Sequence, residues 1–290
     1  MVTAAQAGER LDKALPALAD GLSRTLARKV IAMGGVYIGH ERCKVASRKV
    51  WPGDCLTATW HPDVLSPPRF ELNVVHEDAR VIVVDKPPRQ HVQGTAQGDV
   101  GTLTRMLQRQ FGDDVQLAHR LDAPASGLVI AGRDAEATAK LMACFRVHDV
   151  TRAYLAAVSG SPEPGPCRLP LARDGRRMRI AQSSEGDAVE AHTDIEVLWQ
   201  GDDRALVRAR LHTGRMHQVR AHLAGLLAPL LGDRGYGGVP ASRLCLHGVQ
   251  LRLAHPSGEG VVDVVRLPPE DFWEAAKLPE EARQAANTLA

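Results

Sequence analysis

HRLDAPASGLVI, residues 119–130, joins a turn crowded with polar side chains to an apolar strand. Its proline and glycine are typical of a turn, and the apolar run 128–131 has the length and composition of a buried strand. His119, Arg120 and Asp122 are therefore expected on a loop beside a rigid strand, a common position for catalytic groups. An aspartate in a turn is more often only a turn former, so the loop alone does not identify a site.

A second dense segment, LHTGRMHQVRAHL, covers residues 211–223. Its spacing predicts a helix that begins at Arg215, with Gln218 and His222 on the same side. Arg220 falls on another side of that helix. An arginine can pair with a carboxylate or a phosphate through two hydrogen bonds. An ordinary polar helix start is the competing interpretation of this segment.

Around these segments, helices and strands follow one another without the regular alternation of a parallel α/β fold. The pattern predicts an α+β fold with a mixed, largely antiparallel sheet flanked by helices and loops. The strands are predicted at 81–84, 128–131, 154–158, 191–198, 205–211, 246–253 and 260–265, and the further helices at 102–111 and 135–146.

The N-terminal stretch has the pattern of a separate small domain. A helix around Leu11 and a second helix after the N-cap Ser23 come first. Three short strands follow in an α-α-β-β-β order, at 36–38, 45–50 and 55–60. The predicted boundaries are a small domain at 1–60, a proline-containing linker at 61–69, a larger domain at 70–278 and a frayed tail at 279–290.

Charge is distributed unevenly along the chain. The formal net charge is +2, but residues 1–60 carry nine Lys and Arg against five Asp and Glu, which leaves +4 there and −2 in the remainder. A small basic domain in front of a near-neutral body indicates a polyanion partner. Arg24, Arg28 and Lys29 are expected on the exposed side of the second helix. A solvated face with a chance excess of charge is the alternative.

Composition excludes several classes of protein. Hydrophobic residues make up 44% and charged residues 24%, which is ordinary for a globular chain and unlike a disordered one. Apolar runs are too short to span a bilayer, and the first twenty residues lack the apolar core of a signal peptide. The sequence therefore predicts a cytoplasmic protein without a membrane partner.

Metal and cofactor motifs are missing from the sequence. The five cysteines are scattered and form no C-x-x-C pair, so they fit neither a disulfide framework nor a zinc site. His212, His217 and His222 are spaced five apart and do not share a helix face as two metal ligands would. No phosphate-binding loop or dinucleotide fingerprint is present. We expect no metal site.

Taken together, the two dense segments resemble the RluA-like pseudouridine synthases. The family pattern H-R-L-D-x-x-x-S-G-L stands at 119–128 and T-G-R-x-H-Q-x-R-x-H-L at 213–223. Further family elements follow in order over about residues 70–273, at Asp85-Lys86-Pro87, Arg152-Ala153-Tyr154 and Gly232-Asp233. Residues 1–60 resemble the small RNA-binding domain of small-subunit ribosomal protein four. Arg89 and Ala125 depart from the usual family residues.

The resemblance implies an RNA pseudouridine synthase, which isomerises specific uridines. Breaking the base–ribose bond, turning the uracil and rejoining it through carbon 5 needs no external atom or electron, so no cofactor is implied. Asp122 would act on the ribose, either by attacking carbon 1 or by removing the proton from carbon 2. Tyr154 would stack on the uracil and shuttle the carbon 5 proton. Arg220 would keep Asp122 ionised, with Arg215 as the runner-up.

The resemblance also implies partners and contact residues. Ribosomal RNA is the favoured substrate and transfer RNA the alternative, with no obligate protein partner. The implied contacts to the substrate are Arg120, His119, Arg215 and Gln218, and those to RNA from the small domain are Arg24, Arg28 and Lys29. Two other functions remain open: a catalytically silent RNA-binding protein, and a glycosidase that needs a second carboxylate facing Asp122. Asp233 is the one nearby candidate for that carboxylate.

Overall fold

The computed structural model describes residues 1–19, 21–60, 70–96, 98–175, 177–182 and 185–289. The predicted linker at 61–69 lies outside the described residues. The chain divides into two compact units. The first consists of Met1–Glu71 and His91–Arg109, and the second of Leu72–Gln90 and Gln110–Ala290. The sequence assigned the stretch His91–Arg109 to the larger domain. The structure groups it with the N-terminal unit, where the Asp99 N–H donates to the Met33 carbonyl over 3.1 Å.

The first unit has the expected α-α-β-β-β order. Helices α1 (Leu11–Leu18) and α2 (Arg24–Met33) precede an antiparallel sheet of β1 (Val36–Ile38), β2 (Glu41–Arg42) and β3 (Leu56–Ala58), in the order β2-β1-β3. Ser23 caps α2 by accepting the Leu26 N–H over 3.2 Å, and Gly34 ends it with a left-handed backbone, φ 81°. The apolar faces of both helices, including Leu11, Leu15, Ala27 and Ile31, are buried in one core with Val36 of β1.

The second strand of this unit is not where the sequence predicted it. A turn at Gly39, with φ 60°, folds the chain back at once, so that Tyr37 pairs with Arg42. The stretch 45–50 forms no strand because its carbonyls are used by α1. The Leu11 N–H donates to the Arg48 carbonyl over 2.7 Å, which satisfies a helix-terminal donor that lacks an intrahelical partner.

Most of the second unit is built on a ten-stranded sheet within the described ranges. The strands are β4 Val74–Glu77, β5 Val81–Lys86, β6 Gln116–Leu117, β7 Ser126–Gly132, β8 Val150–Ser159, β9 Gly165–Cys167, β12 Thr193–Gln200, β13 Arg204–Leu211, β14 Leu246–Ala254 and β15 Val261–Val265; β10 Leu171–Asp174 and β11 Arg177–Ile180 form a separate hairpin. The main path of the sheet runs β4-β5-β7-β14-β8-β13-β12-β9, with β6 on β7 and β15 on β14. Among these described strands, only β7 and β14 pair in parallel, so the predicted mixed, largely antiparallel sheet is confirmed.

Helices cover both faces of this sheet. The central strand β8 is apolar on alternate sides, as the two-residue period of a strand requires. The remaining helices are α3 Leu103–Phe111, α4 Ala135–Arg146, α5 Gln218–Gly225, α6 Glu270–Ala276 and α7 Glu280–Asn287. Ala156 and Val158 of β8 face a core with α5, whereas Leu155 and Ala157 face a core with α6 and α7. Within the described ranges, no helix combines the length and apolar character needed to cross a bilayer.

The expectation of a frayed tail was wrong. Residues Glu280–Asn287 form α7, whose Ala282 and Ala286 are fully buried in the core. Two alanines four residues apart make a narrow apolar stripe that can pack closely against the sheet. The side chain of Arg283 also pairs with Glu270 at 2.7 Å. Small side chains give a weak signal in the sequence, although they suffice for packing here.

Candidate active site

A single guanidinium holds two carboxylates at the centre of the site. Arg220 lies in the first turn of α5. Its Nε and Nη2 donate to the two oxygens of Asp233 over 2.7 and 2.8 Å, and its Nη1 donates to Asp122 Oδ2 over 3.2 Å. Burial opposes the charge of Arg220, but its hydrogen bonds to Asp233 and the charges of both carboxylates raise its pKa above the ordinary arginine value. The cation between Asp122 and Asp233 is therefore permanent.

The two carboxylates differ in exposure. The side chain of Asp233 is 1% exposed, whereas that of Asp122 is 20% exposed. Asp233 also accepts the Gly235 N–H over 3.1 Å, so both of its oxygens are engaged. It therefore orients Arg220 and cannot face a substrate. Asp122 keeps an open side with its charge balanced by Arg220, the arrangement that a reactive carboxylate needs.

Lys86 fixes the loop that carries Asp122. Its buried ammonium donates to four carbonyls, those of Pro87, Gln90, Ala123 and Ala125, over 2.8, 3.0, 3.2 and 2.6 Å. Burial, helped by the charge of Arg243, lowers the pKa of Lys86 to about 7, against the opposing charges of Asp122 and Asp85. Two of the four carbonyls flank Pro124, so Lys86 holds the turn just after Asp122.

His119 supports the same loop from its other end and does not line the cavity. Its Nε2 accepts the Ile130 N–H over 3.2 Å, and its ring stacks on Phe145 with centroids 4.5 Å apart. Burial, with the charge of Arg152, lowers the pKa of His119 to about 3. The imidazole is therefore neutral and serves as an acceptor for the strand backbone, which corrects its prediction as a substrate contact.

Close packing of β7 against β14 requires glycine after Ser126. Gly127 has φ +119°, and a Cβ atom there would lie 2.3 Å from the Gly248 nitrogen. The glycine of the 119–128 pattern thus permits the parallel pairing of His247 with Ser126. This pairing places the loop of Asp122 next to the central strands.

A cavity of about 250 Å³ opens beside Asp122. Tyr154 projects into it from β8, and burial raises the pKa of this phenol above its usual value. The lining combines apolar and cationic side chains: Leu121, Ala125, Leu211, Val219, Leu246, Arg120, Arg152, Arg215 and Arg220. The aromatic ring and the aliphatic walls can pack against a flat ring such as a nucleobase. The guanidinium groups can pair with the phosphates of a nucleic acid backbone.

His217 is a site residue that the sequence did not single out for this role. It has φ 52°, a rare backbone conformation for a residue other than glycine. Its Nε2 lies 3.7 Å from Asp122 Oδ2, and its Nδ1 lies 3.1 Å from the Tyr236 hydroxyl. Burial lowers the pKa of His217, although the charge of Asp122 works in the opposite direction. A neutral ring thus lies beside Oδ2, the same Asp122 oxygen that Arg220 contacts.

The predicted start of the second segment's helix needs correction. The helix α5 begins at Gln218 and not at Arg215, since His217 adopts the left-handed backbone. Arg215 therefore precedes the helix, and its Nε donates to the Glu190 carbonyl over 2.9 Å. Arg215 lines the cavity without touching Asp122, which contacts Arg220 instead.

Gln218 is committed to holding the Thr213–Gln218 turn together. Its Oε1 accepts the Thr213 hydroxyl and the Arg215 N–H over 2.8 and 2.9 Å. Its Nε2 donates to the His192 carbonyl and the Thr193 hydroxyl over 3.0 and 2.9 Å. All of its hydrogen-bonding positions are filled by the protein, yet Gln218 lies in the cavity lining, so its contact with the substrate stays a prediction.

The basic residues of the first unit surround a buried carboxylate. Arg10, Arg24 and Arg28 approach Asp12 at 3.0, 3.2 and 2.7 Å, while their own side chains remain about half exposed. Burial alone would raise the pKa of Asp12, but hydrogen bonds from Arg10 and Arg28 and the charges of Arg10 and Arg24 lower it to about 2. With the exposed Lys29 nearby in the same helix, this face carries a net positive charge.

The chain resembles proteins of known family over most of its length. Residues 80–225 match the family model described as RNA pseudouridylate synthase. Ribosomal large subunit pseudouridine synthase D of Haemophilus influenzae is 31% identical over 297 residues, covering 93% of this chain and 90% of that protein. RNA pseudouridine synthase 2, chloroplastic, of Oryza sativa is 27% identical and covers 92% of this chain and 78% of that protein.

Solved structures give the same result. Human RNA Pseudouridylate Synthase Domain Containing 1 matches with a TM-score of 0.60 at 26% identity, over 69% of this chain and 84% of that one. Human RNA Pseudouridylate Synthase Domain Containing 4 matches with a TM-score of 0.59 at 23% identity, over 71% and 94% of the two chains, and supports the fold alone.

Proposed function

The chain belongs to the RNA pseudouridylate synthase family, and from that premise we propose that Asp122 is the catalytic carboxylate and that ribosomal RNA is the substrate. The observation that carries the proposal is the asymmetric pair of carboxylates on Arg220. One is buried and fully engaged, and the other is partly exposed and open to the cavity. A glycosidase would need both carboxylates facing the sugar, and Asp233 faces only Arg220 and the backbone.

Asp122 acts on the ribose of the target uridine. Either course, attack on carbon 1 or removal of the carbon 2 proton, requires an ionised oxygen with an unhindered approach. The 3.2 Å contact with Arg220 holds the carboxylate in place, and the open side of Asp122 supplies the approach. After the base–ribose bond breaks, the uracil turns within the cavity and rejoins the ribose through carbon 5, so that substrate and product have the same atoms.

Tyr154 holds the uracil while it turns. Because burial raises its pKa, its ring stays neutral and offers a flat stacking surface with a hydroxyl that can donate or relay a proton. A base inside an RNA helix reaches this ring only after it is flipped out of the stack.

Cationic side chains hold the RNA backbone. Arg120, Arg152 and Arg215 lie around the cavity, where they can pair with phosphates flanking the flipped nucleotide. Within the first unit, Arg24 and Arg28 offer a separate pair of cations for RNA. Ribosomal RNA is proposed because a relative similar over 93% of this chain is named for the large ribosomal subunit. The proposed compartment is accordingly the cytoplasm.

The role of Asp122 is tested with Asp122→Asn. The change removes the ionised oxygen at nearly constant shape, so we expect tritium release from carbon-5-labelled uridine RNA to fall about a thousandfold or more, with little change in RNA affinity. Asp114→Asn, an exposed position in the Gly112 turn, is the matched control and should retain full activity.

Mass spectrometry of the treated RNA separates the competing functions. Isomerisation leaves the mass of the RNA unchanged, whereas a glycosidase releases free uracil. An Asp122→Asn protein with normal tritium release would overturn the assignment of Asp122. Release of uracil by the unmodified protein would overturn the reaction itself.

A further inference from the structure

Two histidines and an aspartate come together where β12 begins and β13 ends, outside the lining of the cavity. His192 immediately precedes β12, Asp194 lies within it, and His212 follows β13. The His212 N–H donates to the His192 carbonyl over 3.1 Å, so the two histidines are opposite one another. Their imidazole rings stack with centroids 4.1 Å apart and planes 13° apart. Both rings therefore point in one direction.

The Asp194 carboxylate spans the two rings. Its Oδ1 lies 3.0 Å from His192 Nε2, and its Oδ2 lies 2.6 Å from His212 Nε2. One ligand atom from each of the three side chains falls within 4.8 Å of the others. The side chains of His192, His212 and Asp194 are 24%, 39% and 43% exposed, so water reaches all three.

We propose that His192, Asp194 and His212 bind a Zn²⁺ ion. Two imidazole nitrogens and one carboxylate oxygen are ligands that zinc accepts, and water completes a four-coordinate site. Mg²⁺ prefers oxygen ligands and is not expected to bind two imidazoles. When zinc binds, each Nε2 presents its lone pair to the metal. The ring proton then moves to Nδ1 in a neutral imidazole, or leaves to solvent from a cationic one.

A second cluster of the same composition shows what distinguishes this one. His76 and His255 both approach a single oxygen of Asp78, Oδ2, at 3.0 and 3.2 Å. The other oxygen of Asp78 already accepts the N–H groups of Arg80 and Val81 over 2.7 and 2.9 Å. Only the His192 cluster offers each ring its own carboxylate oxygen. The Asp78 cluster is therefore an internal control.

The zinc site joins the turn that leads into α5. The His192 N–H donates to the Thr213 hydroxyl over 2.9 Å, and Gln218 donates to the His192 carbonyl over 3.0 Å. An ion between His192 and His212 would cross-link the two strand ends from which this turn starts. Arg210 lies opposite Asp194 in the strand register and opposes the positive ion. Removing that charge should strengthen binding.

The experiment is calorimetric titration of the full chain with ZnCl₂ under reducing conditions. We expect one ion per chain and no response to MgCl₂. His192→Ala and His212→Ala should each weaken zinc affinity about tenfold or more, whereas the matched control His76→Ala should leave it unchanged. Arg210→Gln should increase affinity. Equal affinity in the wild type and both His192→Ala and His212→Ala would overturn the proposal and place zinc at other groups, such as the thiols. Absence of binding by the wild type would overturn it as well.

A second measurement does not depend on the variants folding. Nitrogen-15 NMR of the histidine rings reports which ring nitrogen carries the proton. Zinc should move the Nε2 signals of His192 and His212, with the ring proton on Nδ1, and leave those of His76 and His255 in place. Shifts confined to His76 and His255, or no shift at saturating zinc, would contradict the site.

Discussion

Asp12 in the first unit and Asp122 in the second are both held by arginines, yet they serve different ends. Asp12 is enclosed by three guanidinium groups and has no exposed side-chain surface. Asp122 contacts one guanidinium, at 3.2 Å, and keeps 20% of its side chain exposed beside a cavity. Ion pairing with arginine therefore does not by itself identify a reactive carboxylate.

The two clusters differ in the exposure of their arginines and in the groups that orient them. Around Asp12, the arginines stay about half exposed, so the carboxylate organises a basic face without meeting solvent itself. Around Asp122, the single partner Arg220 is buried and is itself oriented by Asp233 over 2.7 Å. Asp12 therefore positions the arginines around it, whereas Arg220 positions Asp122.

The largest expected effect comes from Arg220→Met. This change leaves Asp122 and the buried Asp233 without their shared cation, and breaking a buried pair costs about 3–5 kcal/mol of unfolding free energy. Activity should be lost with it. Arg28→Met is the matched change at Asp12, where two other arginines remain, and should cost about 1 kcal/mol or less. Urea unfolding of both variants measures the difference, and equal losses would refute the contrast between the two clusters.

Asp12→Asn is expected to have an intermediate effect. Loss of its charged hydrogen bonds should cost about 1–3 kcal/mol at neutral pH, while the single-turnover rate at saturating RNA is retained. Because folding lowers the pKa of Asp12 from 3.8 to about 2, its stabilisation is present above about pH 4 and disappears as the pH falls through 2. Unfolding free energies of wild type and variant should therefore converge between pH 4 and pH 2. A constant difference over that interval would show that the arginines do not stabilise the ionised form.

The smallest effect is expected for Lys29→Gln on the basic face. Removing one phosphate contact should lower RNA affinity a few-fold and reduce the slope of log K against log salt by about 0.9. Lys277→Gln, which removes an exposed lysine from the second unit, should change neither. Binding titrations at several salt concentrations provide the measurement, and an unchanged slope for Lys29→Gln would count against RNA contact at this face.

Sequence reasoning was most reliable where a pattern is continuous. The apolar runs located seven of the ten described strands of the mixed sheet and missed β4, β6 and β9, and the N-cap Ser23 gave the start of α2. The pairing of Arg220 with Asp122 followed from the family resemblance, and the structure brings these side chains together. Short elements were harder, because the hairpin strand Glu41–Arg42 is only two residues long.

The sequence missed groups whose partners are distant or whose backbone is unusual. Asp233 lies in a loop 13 residues after Arg220 and has no periodic pattern to identify its role. No residue propensity predicts the left-handed backbone of His217, because the turn imposes this conformation. Gln218 was predicted to contact the substrate. Its hydrogen bonds within the turn could not be predicted from the sequence, because they are visible only in three dimensions. The element Asp85-Lys86-Pro87 was the one signal that pointed to Lys86.

Arg220 is proposed to hold Asp122 in place for catalysis through the 3.2 Å contact between them. The direct test is the single-turnover rate of uridine isomerisation at saturating RNA for the wild type, Arg220→Met and Arg215→Met, with the folded state of each variant checked by circular dichroism. We expect Arg220→Met to lower this rate about a hundredfold or more, because Asp122 loses the guanidinium that contacts it. Arg215→Met should weaken RNA binding and retain the rate at saturating RNA, since Arg215 donates to the Glu190 carbonyl and does not touch Asp122. An unchanged rate in folded Arg220→Met, or a loss of rate in Arg215→Met alone, would show that Arg220 does not hold the reactive carboxylate.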